Sequence, residues 1–269
     1  MTLKLYLDPG HGGNDPGAVG NGLQEKDVVL DMSLQIRDYL LEHYEGIEVR
    51  MSRTDDTFLS LQERTDVANA WGADILLSVH VNAGGGTGFE SYVYPGVGAE
   101  TKELQDKIHN ELMNDTYADF RDRGQKTANF HMLRESAMPA VLTENLFIDT
   151  RKDADFLKQE KQKRDSAINH AHGIAKYASL NRIEKSNPKP NSGPEGYVGK
   201  RVESKVNNLR FYNKPTWSDD GLVNTIDKGW GFPEIVDKVK VGSGHQYKVK
   251  NSNGDVYYIT AAEKFVRVE

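Results

Sequence analysis

Asp74-Ile-Leu-Leu-Ser-Val-His-Val81 is an almost unbroken apolar run that ends in polar residues. A strand of this kind is buried on both faces, so it must lie inside a sheet that other elements cover on each side. Leu3 to Leu7, Ile47 to Met51 and Pro139 to Phe147 read as further strands. Between them Val29, Met32, Ile36 and Leu40 fall at helical spacing and Gly46 stops that segment, while Ser60-Leu-Gln-Glu63 offers a capping box for a helix toward Trp71. A long polar helix is predicted from about Asp153 to Ala178. Strands alternating with helices over residues 1–180 predict an α/β domain with a largely parallel sheet.

Asn187-Pro-Lys-Pro-Asn-Ser-Gly-Pro194 breaks the pattern with three of the nine prolines, the composition of a semi-rigid linker, here taken as residues 181–196. Residues 197–269 then form a small β-rich domain. They carry ten of the 24 aromatics, and Asn253-Gly254 marks a hairpin turn between Tyr247-Lys-Val-Lys250 and Val256-Tyr-Tyr-Ile-Thr260. From residue 195 onward 12 Lys/Arg face 10 Asp/Glu, so the tail is mildly basic within a chain of net charge -6. That acidic balance gives no reason to expect a nucleic-acid partner. No apolar run approaches the ~20 residues that cross a bilayer, and Leu3 to Leu7 stops at Asp8, too soon for a signal peptide. The expectation is a chain made in the cytoplasm without an export address and without membrane insertion. Cysteine is absent, so any metal must be held by His and carboxylates.

Open α/β sheets bind ligands at their strand ends, and there stand His11 after the first strand, His80 at the end of the Ile75 run, and Glu144 inside Val141 to Phe147. A single His in such a place is commonly just a hydrogen-bonded residue, and Glu25 has a structural explanation as the acid that complements a helix N-terminus. Glu144 does not. A carboxylate among Val141, Leu142, Leu146 and Phe147 is costly to desolvate unless it meets a cation, a donor or an open cleft. Asp8-Pro-Gly-His-Gly-Gly-Asn-Asp-Pro-Gly17 is a flexible loop in which His11 has little packing to do; it lacks the spacing of a phosphate-binding loop and carries Asp8 and Asp15. Two imidazoles and a carboxylate make a hydrolase-type zinc set with one position left for water, and a further carboxylate would serve as base. His11, Glu25, His80 and Glu144 fit those four jobs. Glu90 and Asn82 either line the cleft or support the fold, and His170 and His172 are expected on a solvated helix face. Trp217, Trp230, Phe232, Tyr257 and Tyr258 serve either as a carbohydrate-stacking face or as the core that a small domain needs.

The chain resembles the zinc-dependent N-acetylmuramoyl-L-alanine amidases of the amidase-3 type, found in bacterial wall hydrolases and phage endolysins. The resemblance runs through Leu7-Asp-Pro-Gly-His-Gly-Gly13, Gly22-Leu-Gln-Glu-Lys-Asp27, Arg53-Thr-Asp55 with Leu61 to Arg64, Ala68-Asn69, Ser78-Val-His-Val-Asn-Ala83, Gly88-Phe-Glu-Ser-Tyr92 and Met138-Pro-Ala-Val-Leu-Thr-Glu144 with Phe147-Ile148. It implies a twisted, mostly parallel sheet flanked by helices, zinc ligands at His11, Glu25 and His80, and Glu144 as the catalytic acid/base. It implies cleavage of the amide between N-acetylmuramic acid and L-alanine in the peptidoglycan of a Gram-positive wall. With an appended C-terminal module and no export signal, the chain looks like a phage endolysin or prophage lysin that acts at the wall after release, its tail binding the wall or a secondary wall polymer. The alternatives are a zinc peptidase or deacetylase acting on another bond of the wall, and a wall-binding protein without catalysis.

Overall fold

The computed structural model describes residues 2–183, 196–242 and 244–269, so most of the Pro-rich linker lies outside the described residues. The chain divides into two units, Met1–Lys185 and Ser186–Glu269.

In the first unit the chain runs β1 (Leu3–Pro9), β2 (Val19–Gly20), β3 (Leu23–Gln24), α1 (Glu25–His43), β4 (Ile47–Met51), α2 (Leu61–Trp71), β5 (Ile75–Asn82) and β6 (Phe89–Val93). It continues through α3 (Ala99–Asn114), β7 (Asp122–Thr127), α4 (His131–Arg134), β8 (Ala140–Phe147), α5 (Arg151–Leu157) and α6 (Glu160–Tyr177). Six strands form one sheet in the order β4-β1-β5-β8-β6-β7. The pairs β4-β1, β1-β5, β5-β8 and β6-β7 are parallel, and β8-β6 is antiparallel. The expected α/β fold is present, with β5 at the centre and buried along nearly its whole length.

Period-two alternation sorts the strand residues between two cores. Leu5, Leu7, Ile75, Leu77, Val79 and Val141 meet Val29, Met32 and Ile36 of α1, Ile108 of α3 and Ile174 of α6. Tyr6, Leu76, Ala140 and Leu142 meet Ala68 of α2 and Met132 and Leu133 of α4. The same alternation places Asp8, Ser78, His80 and Glu144 on the second face, near the carboxyl ends of β1, β5 and β8. Just beyond Glu144 the β5-β8 register shifts by one residue, and Leu146 takes φ 67° in this bulge. The capping box at the start of α2 forms as predicted, Ser60 accepting from the Glu63 amide and the Glu63 carboxylate accepting from that of Ser60.

Two expectations for the last helices are corrected. The segment predicted as one helix is two, α5 and α6, separated at Lys158 and Gln159. His170 is fully buried rather than solvated. It falls on the stripe Ala167, Ala171 and Ile174 that faces the core, and its ring nitrogens lie 2.8 Å from the Ser166 carbonyl and 3.2 Å from the Thr143 hydroxyl. His172 is half-buried, 3.0 Å from the Tyr39 hydroxyl.

Burial pushes the His170 imidazole down to about 4. The unfolded chain therefore takes up this proton first, at about pH 6.5. Stability is full above that pH and falls as the pH drops toward 4, by on the order of 3 kcal/mol from this group alone. In His170→Gln the loss of Tm between pH 7 and pH 4.5 should be smaller than in the parent; equal losses would remove His170 as the cause.

The second unit is built of β9 (Val202–Ser204), β10 (Leu209–Tyr212), β11 (Leu222–Ile226), β12 (Gly231–Phe232), β13 (Glu234–Val241), β14 (Gly244–Lys250), β15 (Val256–Thr260) and β16 (Val266–Val268). They form a five-stranded sheet, β11-β10-β15-β14-β13, and a three-stranded sheet, β12-β9-β16. All pairs are antiparallel, and the predicted hairpin joins β14 to β15. Phe232 and Tyr247 are buried with Val202, Ile235, Val249, Ile259 and Val266, and Tyr257 packs against them, so these aromatics are core. Trp217 and Trp230 stay exposed. Among the described residues no helix is long and apolar enough to cross a membrane.

Candidate metal centre

His11, Glu25 and His80 come together although they are 14 and 55 residues apart in the chain, each offering a ligand atom, all within 4.8 Å of one another. His80 arrives on the end of β5, Glu25 is the first residue of α1, and His11 stands in the loop after β1. Glu25 Oε1 lies 3.0 Å from His80 Nδ1, and Glu25 Oε2 lies 3.2 Å from His11 Nε2. The two rings meet edge to face, 5.1 Å between centroids. Glu25 is also held by the amides of Val81 at 3.0 Å and Ala18 at 2.9 Å.

Close approach here depends on glycine. A Cβ on Gly10 would lie 2.2 Å from His80 Cε1, and one on Gly17, at φ 64°, would lie 2.6 Å from both Glu25 Oε2 and His11 Cδ2. His11 itself has φ 60°, an uncommon conformation for a residue with a side chain, so the loop must be held in place.

Two buried arginines hold it. Arg64 donates to Asp8, at 2.8 Å, and to the carbonyls of Pro9 and His11. Arg53 donates to the carbonyls of Pro9, Gly10, Lys26 and Asp55. These guanidinium groups satisfy backbone acceptors that a loop without regular pairing would leave bare. Opposing the rise that burial alone would cause, Arg64 keeps the Asp8 carboxyl below its ordinary range, and Ser78 donates to the same carboxylate at 2.7 Å. Removing Arg64 leaves a buried charge unpaired. Arg64→Leu should cost about 3–5 kcal/mol of stability and loosen His11 with it; denaturation and metal titration of that variant check both effects.

Asp15 completes the setting of His11. Its Oδ2 lies 2.9 Å from His11 Nδ1 and its Oδ1 accepts from the Gly17 amide, so the ring is turned to present Nε2 toward Glu25. In the sequence Asp15 stands out only as an acid in the loop; its place four residues after His11 is the available signal. Burial alone would lower the imidazole pKa, but Glu25 and Asp15 outweigh it and raise His11 to about 9. His80 is raised as well, mainly by Glu25 against the opposing effect of burial, and the two imidazoles hold Glu25 well below the carboxylate range despite its burial. The pocket thus favours positive charge between these three side chains. His and carboxylate donors in this number are those that zinc takes.

Glu144 stands across from His80 in the β5-β8 register and across from Glu90 in β8-β6. Its Oε2 is buried and has no hydrogen-bond partner among the described residues, and burial pushes the carboxyl up to about 7. Glu90 has a different role. It accepts from Asn82 Nδ2 at 2.5 Å, from Arg123 at 2.9 Å and from Lys126, which anchors it as a support of β6 and β7. A cavity of about 320 Å³ opens beside His11 and His80, with Asp8, Asp15, Phe58 and Leu61 among its walls. The four residues singled out in the sequence therefore lie together: three converging donors and, opposite His80 in the sheet register, a buried carboxyl.

The profile of the Amidase_3 family, described as N-acetylmuramoyl-L-alanine amidase, matches residues 5–176. The sporulation-specific N-acetylmuramoyl-L-alanine amidase of Bacillus subtilis (strain 168) is 54% identical over 184 residues, covering 68% of this chain and 71% of that protein. The endolysin of Bacillus phage SPP1 is 38% identical over 281 residues, covering 100% of this chain and 99% of that protein. Among solved structures, the N-acetylmuramoyl-L-alanine amidase of Clostridium difficile 630 superposes with a TM-score of 0.63 at 34% identity, over 66% of this chain and 97% of that one. The matched span contains every residue of the site described above, and the chain belongs to the N-acetylmuramoyl-L-alanine amidase family Amidase_3.

Proposed function

We propose that the chain is a zinc-dependent N-acetylmuramoyl-L-alanine amidase that hydrolyses the bond between the lactyl group of N-acetylmuramic acid and L-alanine in Gram-positive peptidoglycan. The observation that carries this reading is the convergence of His11, Glu25 and His80 beside a carboxyl, Glu144, whose Oε2 is buried without a partner among the described residues. The donor set fits zinc, and Asp15 supplies the outer carboxylate that commonly orients a ligating His. When bound, zinc supplies Lewis acidity toward a carbonyl and toward water.

The remaining work falls to the chain. Glu144, with a carboxyl pKa near 7, takes a proton from the attacking water and returns it to the alanine nitrogen as the C–N bond breaks. A cation held by the neighbouring ligands favours the ionised form of Glu144, which the first of these transfers requires. The 320 Å³ cavity beside His11 and His80, with apolar walls from Phe58, Leu59 and Leu61, gives a place to substrate groups next to the scissile amide.

Likeness to the SPP1 endolysin over the full chain favours a phage lysin, made in the cytoplasm and acting at the wall after release, with the C-terminal unit holding it on the wall or on a secondary wall polymer. A sporulation hydrolase is the second reading, favoured by 54% identity within the matched part of the sporulation-specific amidase. The metal is tested on the purified chain: one zinc per chain, loss of wall hydrolysis in a chelator, and recovery on adding zinc are expected. Undiminished hydrolysis by chain shown to be free of metal would overturn the zinc reading.

A further inference from the structure

Phe58 and Leu61 are 49% and 54% exposed, and both wall the cavity of about 320 Å³ that His11 and His80 also line. An exposed apolar side chain on a loose loop needs no explanation. Here the backbone is held. The segment between β4 and α2 is tied to the His11 loop: Asp56 accepts from the Gly13 amide at 2.8 Å and from Lys26 Nζ at 2.7 Å, and Arg64 Nε donates to the Leu59 carbonyl at 3.0 Å. The two stretches approach so closely that a Cβ on Gly13, at φ 58°, would lie 2.9 Å from Phe58 Cβ. Leu61 follows directly, as the first residue of α2 behind the Ser60 capping box. The two side chains thus form an open apolar shelf fixed next to the proposed ligands.

The polar side chains in the cavity walls are already engaged. Arg64 donates to Asp8 and to the carbonyls of Leu59, Pro9 and His11, and Ser78 donates to Asp8 as well. Asp15 is taken by His11 and the Gly17 amide, and Ser60 by Glu63. A peptide laid on this surface would cover an N–H and a C=O at each residue with nothing to receive them. A pyranose ring instead offers a face of C–H groups to an aromatic ring, while the oxygens around its edge stay in reach of water. The volume lies near the lower end of ligand sites, roughly 300–1,000 Å³, room for a single sugar unit rather than a run of glycan. Sheet order adds a direction. The shelf lies with Asp8 of β1 on one side of His80, on β5, and Glu144, on β8, lies on the other. We propose that Phe58 and Leu61 are specificity-determining residues that seat the ring of N-acetylmuramic acid on the β1 side of the site, so that the stem peptide leaves on the β8 side. The inference rests on the reading of the chain as an amidase of the lactyl-alanine bond.

The test compares two substrates with the same scissile amide, cut by the zinc-loaded full chain: a disaccharide that carries the stem peptide, and a lactyl stem peptide without the sugar. The parent should favour the disaccharide in kcat/KM by about tenfold or more, and Phe58→Ala should reduce that preference by roughly tenfold, the scale of one apolar contact of this size. The change should fall chiefly on KM, because the ring is held alike before and during the reaction. Phe58→Tyr keeps a flat ring and should keep the preference, and Leu61→Ala should lower it less than Phe58→Ala does. The methyl glycoside of N-acetylmuramic acid gives a second reading without the sugar-free substrate. It should inhibit the parent, and inhibit Phe58→Ala only at roughly tenfold higher concentration.

A fall of equal size on both substrates would overturn the proposal, because it would set the shelf against the lactyl-alanine part or make it a support of the His11 loop. An unchanged preference in Phe58→Ala, or a parent that cuts both substrates equally well, would overturn it too and leave the amidase reading intact. If the parent releases no alanine amine from the disaccharide peptide, the amidase reading itself fails.

Discussion

Glu144→Gln should lower kcat on muropeptides by roughly 10²- to 10⁴-fold, the scale of a lost general acid/base. Gln keeps the size of the side chain and removes the proton exchange, so zinc content and Tm should stay close to the parent. The position makes this expectation sharp. Glu144 lies between His80 and Glu90 across adjacent strands, and its buried oxygen has no partner among the described residues that would give it a purely structural task. A variant that keeps the parent rate would remove Glu144 from the reaction. One that loses zinc or fails to fold would assign it a structural role instead.

The second large effect is expected from the proposed ligands, and it should be graded. His80→Ala removes a donor and deprives Glu25 of one of its two imidazole partners. Asp15→Asn only weakens the hydrogen bond that orients His11. Loss of an outer partner typically costs 10- to 100-fold in metal affinity, so Asp15→Asn should fall in that range and His80→Ala well beyond it, with activity on muropeptides falling in parallel. Zinc titration of both variants measures the order. Equal affinity in His80→Ala and the parent would sink the ligand assignment.

Of the four site residues Glu144 is the most legible in the sequence, because its chemistry conflicts with its apolar surroundings, whereas Glu25 also reads as a helix N-terminal acid and is singled out by fitting a two-His, one-carboxylate set. A carboxylate within the apolar run of β8 and a His closing the apolar run of β5 each call for a partner; His80 finds it in Glu25, while Glu144, opposite His80 in the sheet register, keeps a buried oxygen without one among the described residues. Contacts formed by distant parts of the chain are less legible. Nothing local in Arg53 or Arg64 indicates that their guanidinium groups bind the carbonyls of the His11 loop, because these contacts exist only once β1 and α2 are packed. Strand β7, Asp-Arg-Gly-Gln-Lys-Thr, lacks an apolar face because it is an edge strand and largely open to solvent. For His170 the overall polarity of the helix misleads. The spacing Ala167, His170, Ala171, Ile174 places it on the inward stripe of α6, where two acceptor or donor groups await its ring. Small alanines make such a stripe faint in a helix whose other residues are mostly polar or charged.

Cleavage of the lactyl-alanine amide is the central claim, and mass spectrometry of the fragments released from purified Gram-positive walls by the zinc-loaded chain tests it most directly. The expected products are stem peptides with a free L-alanine amine and glycans that keep their N-acetyl groups and carry a new lactyl carboxyl. Fragments cut within the peptide, or glycans that have lost acetyl groups while the lactyl-alanine bond stays intact, would contradict it.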